Sequence, residues 1–178
     1  MLQWIQQLQR LAYVIPLPVE FVMVAPDHGN LNRLPQLMTA AANSKVFWQT
    51  LGIQLSVNVR ALQTPLKPEG LYFDDLRRLH HWNLGARPPT IYVFSDETSI
   101  ETTFLGKTFG GGIAVAAGNV LQPGGGSLLD EIIDHERGHV LGVEHEDGTF
   151  MRAELEIIER KVTPMQKQTL RTNAREMF

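Results

Sequence analysis

Apolar positions along the chain change their spacing several times, and each change marks an element. Leu2, Ile5, Leu8, Leu11 and Ala12 recur at three- and four-residue intervals, which predicts a helix over residues 2 to 13. Phe21-Val22-Met23-Val24-Ala25 has no polar position and reads as a buried strand, closed by the turn residues Asp27-His28-Gly29-Asn30. Helical spacing returns at Leu34, Leu37, Met38, Ala41, Ala42 and Phe47. It predicts a helix from about Leu34 to Leu51, with Pro35 tolerated in its first turn. Ile53, Leu55, Val57 and Val59 then alternate with polar residues, the pattern of a half-buried strand. A proline-containing loop at 64 to 70 leads to a short helix near Tyr72 to Trp82. Residues 90 to 94 (TIYVF) predict a third strand and Gly112 to Ala117 a fourth, entered through the glycines at 110 to 112.

The last third is mostly helical. Ser127 precedes Asp130 by three residues, a capping-box spacing with an aspartate in place of the usual Glu or Gln. The helix it opens should run to about Leu141, where Gly142 ends it. Thr163-Pro164-Met165-Gln166 is a second helix start, with proline at the first helical position, and that helix continues towards Phe178. Strands and helices alternate, so the expected class is α/β, with one long helix carrying the densest polar chemistry. A length of 178 residues suits a single domain.

Composition then excludes several classes of function. A hydrophobic share of 43% with 20% charged residues is that of an ordinary soluble globular protein. The net charge of -3, with basic residues scattered along the chain, offers no handle for nucleic acid or an anionic membrane. No stretch approaches the roughly 20 apolar residues of a membrane span. Pro16, Pro18 and Glu20 interrupt the apolar N-terminal region, which therefore lacks a signal-peptide pattern. The expectation is a soluble protein with a monomer favoured, either cytoplasmic or exported after processing. There is no cysteine, so disulfides, thiolate ligands and a thiolate latency device are excluded, and any transition metal must be held by imidazole and carboxylate.

The stretch DHERGHVLGVEHEDGTFM, residues 134 to 151, holds half of the six histidines. His135 and His139 are four apart and share one helix face, close enough for both imidazoles to reach one zinc ion. A third ligand on the same helix would be hard to place in a tetrahedron. Gly142 lets the chain turn so that His145 can approach from beyond it. Three protein ligands leave a fourth position for water, as in catalytic sites. Glu136 lies about 100° round the helix from His135. It suits a general base that takes a proton from the metal-activated water and returns it to a leaving amine.

HERGHVLGVEH resembles H-E-x-x-H-x-x-G-x-x-H, the zinc signature of the metzincin metalloproteases. Chance agreement at its five fixed positions is on the order of one in a hundred thousand for a chain of this length. Met151, six residues past His145, stands where a metzincin's Met-turn methionine would be expected, and G-T-F-M is similar to the matrixin spacing. The resemblance implies a zincin-like fold with a mostly parallel twisted sheet, an antiparallel edge strand and an active-site helix. An upper subdomain would span about 1–142, and a lower one of about 143–178 would end in a helix. It also implies one catalytic Zn2+ per chain on His135, His139 and His145, with Glu136 as base and Gly142 and Met151 as structural supports. A peptide or protein substrate would lie along an edge strand containing Gly112, Ile113, Ala114, Val115 and Ala116, with Arg152 shaping a side pocket.

Arg137 departs from the family pattern, which is usually apolar there; a surface pair with Asp134 is expected, or else an altered packing contact under the site. Arg152 and Ala153 also depart from the Tyr or Pro often found in matrixin-like chains. These departures keep open a zinc-binding pseudo-protease that holds a peptide or partner without cutting it, although an intact Glu136 argues for activity. An exopeptidase, or a protease for one dedicated protein, is a further alternative. His28, His80 and His81 read as surface residues, and Glu144, Glu146 and Asp147 as solvated loop acids. No dense acidic loop suggests calcium.

Overall fold

The computed structural model describes residues 14–25, 33–63, 90–94, 105–109, 112–117, 128–153 and 160–177. The helices expected at 2 to 13 and 72 to 82, and residues His28, His80, His81, Gly110, Gly111 and Ser127, lie outside these. Five strands form one sheet: β1 (Ile15–Ala25), β2 (Ile53–Gln63), β3 (Thr90–Phe94), β4 (Gly106–Phe109) and β5 (Gly112–Ala116), in the order β2-β1-β3-β5-β4. All neighbours are parallel except β4, which runs antiparallel to β5. The described helices are α1 (Leu34–Thr50), α2 (Leu128–Val140) and α3 (Pro164–Glu176).

β1 starts six residues before the expected run, and its two prolines show why it can. Ile15 donates its N–H to Gly52 beside β2, so odd positions of β1 aim their amides at β2. Pro16 and Pro18 face the other way, where β3 has not yet begun: β3 pairs only with Glu20 to Val24. A residue without an N–H costs nothing on that edge.

The odd side chains Ile15, Leu17, Val19, Phe21 and Met23 form the main core with Leu37, Ala40, Ala41 and Trp48 of α1, with Leu129, Ile132 and Ile133 of α2, and with Leu170 and Ala174 of α3. The opposite sheet face carries a second cluster that includes Val22, Val24, Tyr92, Phe94 and Phe109. Burial on both faces explains why β1, β3 and β5 lack alternation where they lie inside the sheet. On α1 the buried stripe is Leu37, Ala40, Ala41, Ser44 and Trp48, whereas Met38 is exposed and Ala42 lies on the outer side. The expected stripe was therefore rotated, because a polar serine and a tryptophan fill places that an apolar count passes over.

The expected edge strand is also relocated. Gly112 to Ala116 are hydrogen-bonded to β3 on one side and β4 on the other, so their main chain is already paired and cannot hold an extended peptide. The antiparallel edge strand is β4, whose four residues between glycines gave too short a pattern to register.

α3 holds the ends of both other helices. Lys167 and Arg171 donate to the carbonyls of Thr50 and Leu51 at the end of α1, cations placed where the helix dipole favours them. Asn173 donates to the Leu141 carbonyl, just past α2. The start of α3 has the expected capping box: Thr163 and Gln166 satisfy each other's backbone amides, with proline in the first turn.

Candidate metal centre

α2 ends in a Schellman motif. Val143 donates to Gly138 and Gly142 to His139, and Gly142 takes a φ of +76°, a left-handed conformation natural to glycine. This reversal carries the chain back past the helix face, as expected, and brings His145 beside His135 and His139. The three Nε2 atoms lie 3.1 Å (His135–His139), 3.1 Å (His139–His145) and 3.3 Å (His135–His145) apart. Tetrahedral ligands at about 2.0–2.1 Å from a zinc ion are separated by about 3.3–3.4 Å, so the three nitrogens fit that ion closely.

The remaining ring nitrogens fix which atoms face inward. His135 Nδ1 lies 3.2 Å from the Phe150 carbonyl and His139 Nδ1 lies 2.9 Å from that of Val143. A carbonyl only accepts, so both Nδ1 atoms carry the proton and both Nε2 atoms present lone pairs. Two lone pairs 3.1 Å apart repel unless a cation lies between them. Burial pushes the His135 pKa down to about 4 and lowers that of His139, which favours the neutral, ligating form.

Glu136 is buried beside this cluster, and burial raises its pKa to about 7 against the hydrogen bond it accepts from Thr108 at 3.3 Å. Gly106 makes room for it: a Cβ there would stand 2.6 Å from Glu136 Oε1. β4 thus supports the carboxylate. Neither Gly106 nor Thr108 stood out in the sequence; only their alternation with Lys107 and Phe109 hints at a strand with one side facing α2.

Fully buried Met151 packs its sulfur against Gly138 of α2, where a Cβ would come within 2.2 Å of Sδ. The turn leading to it is organised by Thr149. Its hydroxyl donates to the Glu146 carbonyl and accepts from the Met151 N–H and the Gln166 amide.

Arg137 departs from the surface role expected of it, and both arginines are buried. Arg137 is 1% exposed; it does pair with Asp134 at 3.6 Å, but between the rings of Phe21 and Trp48. It is the packing contact, in a place where a charge was expected to seek water. Arg152 is buried on Glu131 at 3.3 Å and on the Thr149 carbonyl, so its guanidinium is committed to the protein. Glu144, Glu146 and Asp147 are exposed, as expected.

Three imidazoles converging on one point, on and just beyond a helix packed against a mostly parallel sheet, define a candidate transition-metal site in an α/β protein. No family model and no curated protein matches the sequence. The fold does match a solved structure, an archaemetzincin from Methanopyrus kandleri, with a TM-score of 0.63 over 87% of this chain and 94% of that one. The two are 16% identical, so the likeness is one of fold. Among the described residues no helix is long and apolar enough to cross a membrane.

Proposed function

We propose that the protein is a zinc-dependent endopeptidase of metzincin type. The observation that carries this reading is the trio of Nε2 atoms within 3.3 Å of one another, two of them turned inward by carbonyls behind, beside a buried carboxylate. The fold shared with a protein named archaemetzincin supports it. A zinc ion held by the three imidazoles would supply Lewis acidity for a scissile carbonyl and would lower the pKa of a water. Glu136 takes the proton from the attacking water and delivers it to the leaving amine, and a buried carboxylate with a raised pKa suits both transfers.

β4 is the strand along which an extended peptide would lie. Ala116 donates to the Leu105 carbonyl, so Leu105, Lys107 and Phe109 turn their main chain towards β5 while Gly106 and Thr108 turn theirs outward. These two residues also contact Glu136, which sets the peptide's docking edge directly against the base. Arg137 and Arg152, which kept a non-cleaving relative in play, are each paired with an acid of α2, and an intact Glu136 favours the cleaving reading over that alternative.

The test is cleavage of a mixed peptide library by zinc-loaded protein, with Glu136→Gln in parallel. Internal cuts that vanish in the variant, with zinc still bound, support an endopeptidase that uses this base. Absence of cleavage by either protein with one zinc per chain would overturn it.

A further inference from the structure

Behind the histidines, α2 carries a second polar cluster that the proposed chemistry does not use. Asp130 and Asp134 lie one turn apart, and Arg160 spans them, one guanidinium nitrogen on Asp134 at 2.6 Å and the other on Asp130. Asp134 also accepts from Trp48 at 2.7 Å and from Ser44. The Arg160 guanidinium lies 5.3 Å from the centre of the Phe47 ring, so a single side chain from beyond the methionine turn grips both α1 and α2.

The next residue links this grip to the metal centre. The Lys161 carbonyl accepts from the Phe150 N–H at 2.9 Å, and the Phe150 carbonyl accepts from His135 Nδ1. The Phe150 ring is held by Phe47 and Trp48, at 5.4 and 6.5 Å between centroids. Arg160 therefore acts on both ends of one hydrogen bond. On the helix side it fixes Asp134, the residue before His135. On the turn side it anchors the chain next to Lys161, whose carbonyl holds the N–H of Phe150, the residue whose own carbonyl meets His135. At 3.2 Å the His135–Phe150 contact is at the long limit for an N–H···O bond, where a small shift of either end weakens it steeply.

We propose that Arg160 is a positioning residue for the metal centre: it holds the Phe150 carbonyl on His135 Nδ1, and so fixes that imidazole's tautomer and direction. The role rests on His135 being a ligand, but its first consequence is visible without metal. Loss of the partner behind a ligating imidazole typically costs 10- to 100-fold in metal affinity.

Two measurements on the full chain test this, each on the wild type, Arg160→Met, and Arg60→Met as a remote ion-pair control. The first is the 15N chemical shifts of the His135 ring in metal-free protein at alkaline pH. The wild type and the control should show the Nδ1–H tautomer, and Arg160→Met a mixture of the two. The second is zinc affinity by chelator competition, expected to fall roughly 10- to 100-fold in Arg160→Met and to stay within twofold in the control. If Arg160→Met does not fold, Asp130→Asn loosens one arm of the grip and should move both readouts the same way by less. An unchanged tautomer and unchanged affinity in a destabilised Arg160 variant would make the grip a fold support only, overturning the proposal. A wild type that binds no zinc but shows the tautomer change would uphold the positioning role and overturn the metal reading instead.

Discussion

The two faces of α2 are both polar, yet they are built on opposite terms. One face carries Asp130, Asp134 and Arg137, completed by Arg160 from beyond the turn, so that acids meet bases inside the fold. The other carries His135 and His139, joined by His145, whose inward nitrogens bring together like with like. The first cluster supplies its own counter-charges. The second is complete only with a cation from outside. Like groups brought face to face repel unless a counter-charge joins them, so a cluster of this second kind fits a place kept for a cation rather than for stability.

The contrast can be pushed hardest at its functional end. Glu136→Gln should lower peptide cleavage by about 10²- to 10⁴-fold while zinc affinity, measured by chelator competition, moves only a few-fold. On the self-paired face, Asp134→Ala strands two guanidinium groups and should cost about 3–5 kcal/mol in a urea melt of metal-free protein. His139→Ala on the other face removes only the bond to Val143 and should cost about 1 kcal/mol in the same melt. Equal losses would erase the distinction between the faces. Zinc should then reverse the order of importance: at one hundred times its Kd it should stabilise the wild type by about 2.7 kcal/mol and His139→Ala far less. Gly138→Ala sits between the faces and drives a methyl group into Met151, with an expected cost of about 1–3 kcal/mol and a weakened zinc site.

The smallest effect is that of pH on metal-free protein. His135 has its pKa lowered from 6.5 to about 4, so the unfolded chain binds more protons in that window and stability should rise with pH across it. His139, also lowered, adds to the rise. Glu136 is raised from 4.5 to about 7, so there the folded chain binds more protons and the slope is opposed. Glu131 and Asp134, also raised by burial, oppose the histidines too. Glu136→Gln should therefore shift the slope of stability against pH upward between about pH 4.5 and 6.5, whatever its sign in the wild type; urea melts across that range would show an unchanged slope if the carboxylate is not buried as described.

Much of the metal-centre geometry was legible because it depends on spacing. Four residues place His135 and His139 on one face, and a glycine at 142 turns the chain, whatever the rest of the fold does. The start of α3 was legible for the same reason, since Thr163 and Gln166 cap each other locally. What escaped depends on distant partners. Pro16 and Pro18 looked like breaks because the missing neighbour at that edge is a property of the sheet. Arg137 looked like a surface residue because Ser44, Trp48 and Phe21, which enclose it, are about 90 to 120 positions away. Thr108 had only a faint alternation with its neighbours to mark it: a short strand shows its purpose once it is beside the helix it supports.

The attachment of α3 to both helix ends has a consequence for how the protein is made. Synthesis delivers segments in order, and all three histidines precede Thr163. A nascent chain that has just exposed Met151 holds the whole ligand set, yet Gln166 has not bonded Thr149 and Asn173 has not reached Leu141. The Gly142 turn closes on its own local bonds, but its brace at Leu141 and the Thr149 contact arrive only when the later helix docks. A fully braced three-histidine site should therefore lag behind the appearance of His145 on the ribosome, and pulse-labelled truncations ending before and after residue 176 would show the order.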